Sequence, residues 1–426
     1  MAAYKNQPTK SGTSPFNRTV QHNAKRAAIL SQAAKLFNGR GSRSTTLLDI
    51  AQSLGLTKTS LYYYVKTKEE LIYQCYVAAL EHLMVSLDAI EERHASGLDR
   101  IQAVLRAHFD DWREAQEGRR SHTAALLEIA SLKDQHREDV EQRYILMFKR
   151  LRQYLRDGIA EGSVRRCESS ATTLGLIGSM QWSFNWLRTV PIDQIDQISD
   201  AACDLFANGL SASGNYRFKA LSFGSINSDT SRGFDREEQN RLKQDAFFKT
   251  GTWFFNKKGF AGTSLDEIAE TLNVTKGAFY YHIKSKEDLL YSCYTRSLDI
   301  SRQFYEDASS LPNGIEKLDY VCRGSFHVQN SDDGPMIRYN SITALPIPRR
   351  KDILTITEQG NDRFGQFMRD GIEDGSVRPI NVEVAQQMIT GAMNASMDLP
   401  LWRKMDDPEQ AAIDFYAGFF NGLKPR

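Results

Sequence analysis

From Lys25 onwards apolar residues recur at spacings of three and four, the period of an amphipathic helix, and strict strand-like alternation is absent. One stripe runs through Ile29, Leu30, Ala33, Leu36 and Phe37, and another through Phe247, Phe248, Gly251, Phe254 and Phe255. Gly41 and Gly259 follow, each where a helix C-cap is expected. Next comes a shorter stripe, Leu47, Ile50, Ala51 and Leu54, matched by Leu265, Ile268, Ala269 and Leu272. Thr46 and Ser264 stand at its N-cap, with Asp49 and Glu267 placed to complete a capping box. Gly55-Leu56 and Asn273-Val274 form the turn, because Gly and Asn tolerate a left-handed backbone. Thr57 and Thr275 then cap a further helix. Two short helices across a tight turn predict a helix-turn-helix, and they predict it twice.

The duplication extends beyond the motif. Phe37–Tyr76 aligns without a gap on Phe255–Tyr294, with 19 identical residues in 40. Arg156–Arg165 (RDGIAEGSVR) aligns on Arg369–Arg378 (RDGIEDGSVR) in the same order. A period this long is a repeated domain and not a solenoid. The expected division is a basic, disordered arm over 1–22, a first helix-turn-helix domain over 23–76 and a first helical body over 77–210. A Ser-, Gly- and Asn-rich linker over 211–234, a second helix-turn-helix domain over 235–294 and a second body over 295–426 complete it. The fold class is all-α, a tandem duplication of head and body.

Composition narrows the function. The chain has 426 residues, 41% hydrophobic and 25% charged, enough for packed cores and too long for one ordinary domain. No apolar run reaches membrane-spanning length, and residues 1–18 lack the apolar stretch of a secretory signal. Five cysteines without a CxxC pair point to a reducing, cytoplasmic setting. His122, His136 and Glu128 have no metal-ligand spacing and His327 stands alone, so neither metal nor cofactor is expected. GxxxxGK[ST], GxSxG and HExxH are absent, which argues against an enzyme. The net charge of +1 argues against nucleic acid only as an average. Residues 1–80 hold 11 Lys and Arg against 3 Asp and Glu, a net of +8, whereas residues 235–294 hold 9 of each. The first head should therefore dominate salt-dependent affinity for DNA.

The helix after each turn reads Lys58-Thr59-Ser60-Leu61-Tyr62-Tyr63-Tyr64 and Lys276-Gly277-Ala278-Phe279-Tyr280-Tyr281-His282. Leu61 and Phe279 are its apolar anchors. The Thr, Ser, Lys and Tyr side chains around them suit base edges and phosphates in a major groove. Lys68 and Lys286 open the following helix, where an ammonium and free backbone amides can share a phosphate. Ile-Ala, Thr-Lys, Leu-Tyr-Tyr or Phe-Tyr-Tyr, then Lys-x-Lys-Glu-x-Leu resembles the DNA-binding domain of tetracycline-repressor (TetR) family regulators. The resemblance covers about 50 residues in each unit. It implies a three-helix DNA-binding head on a helical ligand-binding and dimerisation body. It implies DNA contacts from Thr46, Thr57, Lys58, Thr59, Ser60, Tyr62, Tyr63 and Lys68 in unit one. In unit two it implies Ser264, Thr275, Lys276, Gly277, Ala278, Tyr280, Tyr281 and Lys286. Ser42, Val65 and Ile283 depart from the family's aromatic preferences at packing positions.

Members of that family act as homodimers on two half-sites, so one chain with two heads implies a pseudo-dimeric monomer on double-stranded operator DNA. The alternative is a homodimer with four heads. The expected interface is a four-helix bundle of Met147–Gly158 and Ala171–Arg188 with Phe364–Gly371 and Val384–Leu401. Thr59, Ser60 and Tyr64 face Gly277, Ala278 and His282 at equivalent places, which predicts an imperfect palindrome. The resemblance further implies repression relieved by a small hydrophobic effector. Gly178–Arg188 looks somewhat like the tail of acyl-CoA-responsive members. Phe109, Trp112, Met180, Trp182, Phe184 and Trp186 are the candidates to line its pocket. A competing reading is a DNA-tethered scaffold whose second head holds a partner protein.

Overall fold

A computed structural model describes residues 15–127, 129–223 and 236–426. Among these residues the regular structure is helical, apart from one antiparallel bridge between Ser211 and Val377. Unit one runs α1 (Pro15–Arg40), α2 (Leu47–Ser53), α3 (Lys58–Tyr62), α4 (Lys68–Arg93), α5 (Gly97–Gln116), α6 (Asp134–Glu161), α7 (Ser169–Trp186) and α8 (Ile195–Asn208). Unit two repeats the order as α9 (Arg236–Gly262), α10 (Leu265–Thr271), α11 (Lys276–His282), α12 (Lys286–Ala308), α13 (Gly314–Gln329), α14 (Ile347–Asp374), α15 (Val382–Ala395) and α16 (Pro408–Asn421). No helix among the described residues is long and apolar enough to cross a membrane.

Each head packs on the stripes its sequence lays down. Ile29, Ala33, Ile50, Ala51, Leu61 and Leu71 are buried in the first, and Phe247, Phe255, Ile268, Ala269, Phe279 and Leu289 in the second. The buried thiols of Cys75 and Cys293 reach equivalent carbonyls, Leu30 O and Phe248 O. Burial pushes both thiols up to about 12, so neither carries a thiolate near neutral pH.

The two bodies join along a pseudo-twofold. Helix α7 crosses α15, and α8 and α16 complete the four-helix bundle. This corrects the expected bundle, which placed α6 and α14 at the junction. Those helices instead pack chiefly within their own units, on α4 and α5 and on α12 and α13, with α6 reaching unit two at Trp402. The reason lies in α7, buried nearly all round by small residues that let a second backbone approach. Ser179 Oγ donates to Met388 O at 2.6 Å, and Trp182 Nε1 donates to Gln387 Oε1 at 2.9 Å. Backbone bonds are exchanged symmetrically: Arg165 N donates to Leu423 O at 2.7 Å, and Arg378 N to Leu210 O at 2.9 Å.

Two connecting segments differ from expectation. Residues 15–22 are helical as the start of α1 rather than part of a disordered arm, while Lys5 and Lys10 lie outside the described residues. The expected linker is docked over 211–223, and 224–234 lie outside the described residues. Tyr216, Phe218 and Phe223 give this segment apolar anchors: Tyr216 and Phe218 pack on Phe420, and Phe223 stacks on His327. Beneath it Arg323 and Asp319 form a buried ion pair at 2.6 Å. Arg323 also donates to Lys219 O at 2.8 Å, and Tyr216 OH donates to Asp319 at 2.9 Å. A buried pair is tolerable only with its remaining hydrogen bonds satisfied, and the segment supplies them.

Candidate nucleic-acid interface and ligand cavities

In the first head Thr46 and Asp49 form a complete capping box, which lowers the Asp49 carboxyl. Gly55 (φ 65°) and Asn273 (φ 53°) both take the left-handed conformation that the turn requires. Thr57 accepts from Ser60 N, and Thr275 from Ala278 N, so each reading helix starts on a side-chain cap. Leu61 and Phe279 are fully buried, and they set the rotation of α3 and α11. That rotation leaves Tyr63 71% exposed and Tyr281 74% exposed, with Tyr62 and Tyr280 about half as open. Lys58, Thr59 and Ser60 are exposed beside them, as are Lys276, Gly277 and Ala278. The motif thus places most of the nominated residues of each unit on one open face.

The lysines that open the following helices are placed differently. Lys68 Nζ donates to Arg43 O at 3.3 Å, and Lys286 Nζ to Thr263 O at 2.8 Å. Both brace the start of the next helix against the loop that precedes the helix-turn-helix. Burial and the nearby Arg43 hold the Lys286 ammonium below its ordinary range.

The second head carries a feature that the first lacks. Asp266, at the position of the exposed Leu48, pairs with Lys276 Nζ at 2.6 Å and accepts from Tyr280 OH at 3.3 Å. Hydrogen bonding to Lys276 holds the Asp266 carboxyl low, and Asp266 raises Lys276 in return. Two groups nominated to face DNA are thereby engaged by one carboxylate. Aligning the two stripes position by position would have exposed this exchange of Leu for Asp.

The heads also touch. The Arg43 guanidinium lies 4.0 Å from the Phe260 ring centroid and 3.7 Å from the Glu287 carboxylate. Phe260 stands where unit one has Ser42, so a departure in one unit receives a cation from the other.

The six nominated effector residues are not one cluster. Phe109 and Met180 sit in the core, and Phe109 lies edge-on to His108. Trp112 and Phe184 line a cavity of about 300 Å³ near the end of α1. Trp182, Phe184 and Trp186 line a second, of about 580 Å³, where both units meet. A third cavity of about 310 Å³ lies inside the body of unit two, walled by Tyr294, Tyr305, Tyr339, Met336 and Met393. Subtraction of bulk opens it: unit two has Ser325, Gln329, Gly360 and Asn361 where unit one has His108, Trp112, Met147 and Phe148. In unit one that space is closed further by Trp402, stacked 3.5 Å above Phe148. Nomination by aromatic content missed the cavity because its signal is the loss of large residues.

Residues 29–75 and again 251–293 match the family profile described as "Bacterial regulatory proteins, tetR family". Residues 94–210 match "Tetracyclin repressor-like, C-terminal domain". A curated relative, the transposon Tn10 TetC protein of Escherichia coli, is 24% identical over 45% of this chain and 97% of its own length. The HTH-type transcriptional repressor KstR2 of Mycolicibacterium smegmatis is 31% identical over 33% of this chain and 68% of its own. Among solved structures, the TetR family transcriptional regulator PfmR of Thermus thermophilus is 26% identical, over 42% of this chain and 95% of that one, with a TM-score of 0.36. The fold and the site define a helix-turn-helix regulator built twice. The chain belongs to the tetracycline-repressor family, with the family's N-terminal domain present in two tandem units.

Proposed function

We propose that the chain is a sequence-specific repressor that presents both of its heads as a monomer and leaves its operator on binding a small hydrophobic effector. The observation that carries this reading is the pairing of two solvent-facing, hydroxyl- and lysine-bearing helices on bodies already joined within one chain. Base and phosphate contacts come from Thr46, Thr57, Lys58, Thr59, Ser60, Tyr62 and Tyr63, with weaker counterparts from Ser264, Thr275, Lys276, Tyr280 and Tyr281. Thr59 and Ser60 offer donors where Gly277 and Ala278 offer none. A good bidentate base contact discriminates by roughly 1–3 kcal/mol, so the two half-sites differ in sequence. The effector occupies the cavity of unit two, whose walls combine aromatic rings with hydroxyl and amide groups.

Selection of duplexes from a random pool tests the reading. An imperfect inverted repeat is expected, with half-sites about one helical turn apart, roughly 34–36 Å. Tyr63→Ala combined with Lys58→Ala should abolish selection. A perfect inverted repeat, or selection that survives this double variant, would overturn it.

A further inference from the structure

The bundle fixes the two bodies to each other, whereas the chain leaves each head for its body along one long helix, α4 or α12. The contact between the heads adds a separate constraint. Arg43, in the loop after α1, sets its guanidinium over the Phe260 ring and beside the Glu287 carboxylate of head two. Both ends of this contact are braced. Lys68 Nζ holds Arg43 O, and Arg188 Nη1 donates to Gly39 O at 2.9 Å. A Cβ on Gly41 would stand 2.6 Å from Thr343 Oγ1, so the same loop also abuts unit two. Phe260 is buried, with its ring stacked on Phe255 at 5.7 Å between centroids, and Lys286 Nζ holds Thr263 O. Lys286 Nζ also lies 4.7 Å from the Phe260 ring, and Glu287 offsets the two positive charges. The contact is made once. Its mirror image would set Ala261 against Ser42 and Glu69, and neither Ala261 nor Ser42 supplies a cation or a ring. Glu69 pairs instead with His136 of its own unit at 3.0 Å. Ion pairs this exposed contribute little, so most of the hold comes from the guanidinium against a ring shielded from water.

We propose that Arg43, Phe260 and Glu287 form a strut that fixes the separation of the two heads and makes the chain selective for one length of operator spacer. The proposal rests on the reading that both heads engage DNA. Each base pair added between half-sites moves the second by about 3.4 Å along the duplex and turns it by about 35°. A head held both by its body and by its neighbour cannot follow that turn without breaking the contact. A head hinged only on its long helix can.

Fluorescence anisotropy of the full chain reads the selectivity, on duplexes that carry the selected spacer or one base pair more or fewer. Arg43→Ala, which copies Ala261, should cut the preference for the selected spacer by about three- to tenfold, and Glu287→Gln by less. Binding that weakens or tightens equally on all three duplexes would make Arg43 a phosphate contact or a general brake, and would overturn the strut. Pulsed electron–electron double resonance reads head separation with no DNA present. Nitroxide labels go on Gln52→Cys and Glu270→Cys, exposed and equivalent positions in the two heads, with the partly exposed Cys167 removed as Cys167→Ser. The chain with Arg43 should give one narrow distance distribution, and Arg43→Ala a broader one. Equal widths would also overturn the strut. If no duplex is bound, not even one with a single half-site, the DNA reading fails while the label distances still decide whether the strut exists.

Discussion

Gly178 and Gly391 occupy the same place in the two units and meet backbone to backbone where α7 crosses α15. A Cβ built on Gly178 would lie 2.8 Å from the Gly391 carbonyl oxygen, and one on Gly391 would lie 2.7 Å from the Gly178 carbonyl oxygen. Neither obstruction is a flexible side-chain tip, so the helices must separate to admit any larger residue. Gly391→Val is therefore expected to destabilise the chain by at least the roughly 1–3 kcal/mol of ordinary overpacking. Urea denaturation measures this, and an unchanged midpoint would refute the close crossing.

The same crossing decides the assembly. In a two-chain regulator of this kind the corresponding helix faces are open until a partner arrives, whereas here α7, α8, α15 and α16 already cover one another. Light scattering should return the mass of one chain, 48.3 kDa, with no dependence on concentration. A mass of about twice that would show that further apolar surface drives pairing.

Asp266 is expected to tune how strongly the second head meets DNA. It holds Lys276 and Tyr280 in the absence of DNA, and it adds a negative charge to a face that approaches phosphates. Asp266→Leu, which copies the first head's Leu48, is expected to raise operator affinity several-fold. The log–log salt dependence should steepen by roughly 0.9, the contribution of one newly neutralised phosphate. Fluorescence anisotropy across a salt series reads both, and no change in either would show that Asp266 lies away from the DNA.

The heads were legible because their constraints are local. Thr57 and Thr275 cap, Gly55 and Asn273 turn left-handed, and Leu61 and Phe279 point inward for reasons contained within a dozen residues. The repeat itself was legible from identity at a constant offset. What escaped depended on residues distant in sequence. The 211–223 segment reads as loose by composition, yet Arg323, over a hundred residues on, pins it through Lys219 O. The bundle partners escaped because α6 carries an apolar stripe of its own, through Met147, Phe148, Leu151, Tyr154 and Leu155. Only the small residues of α7 permit the closer approach, and apolar periodicity does not register size. The cavity of unit two arises from absences at Ser325 and Gly360, which no search for aromatic residues detects.

His108 makes the acid sensitivity of the first body a specific expectation. It is half-buried against Phe109 and Phe184, with its Nε2 2.7 Å from Ser183 Oγ, and desolvation pushes its pKa down to about 4. Asp111 and a Met180 backbone contact act in the opposite direction, with less effect. The unfolded chain restores an ordinary value near 6.5. Between these two values the unfolded state binds the proton and the folded state does not, so stability must fall as pH falls. The loss begins below about pH 6.5, amounts to about 2 kcal/mol by pH 5 and levels off below pH 4. His108→Gln cannot titrate and keeps a hydrogen-bonding group near Ser183. It should therefore lose about 2 kcal/mol less stability than the natural chain between pH 7.5 and pH 5. Urea midpoints at the two pH values measure the difference, and parallel losses in both proteins would place the acid sensitivity elsewhere.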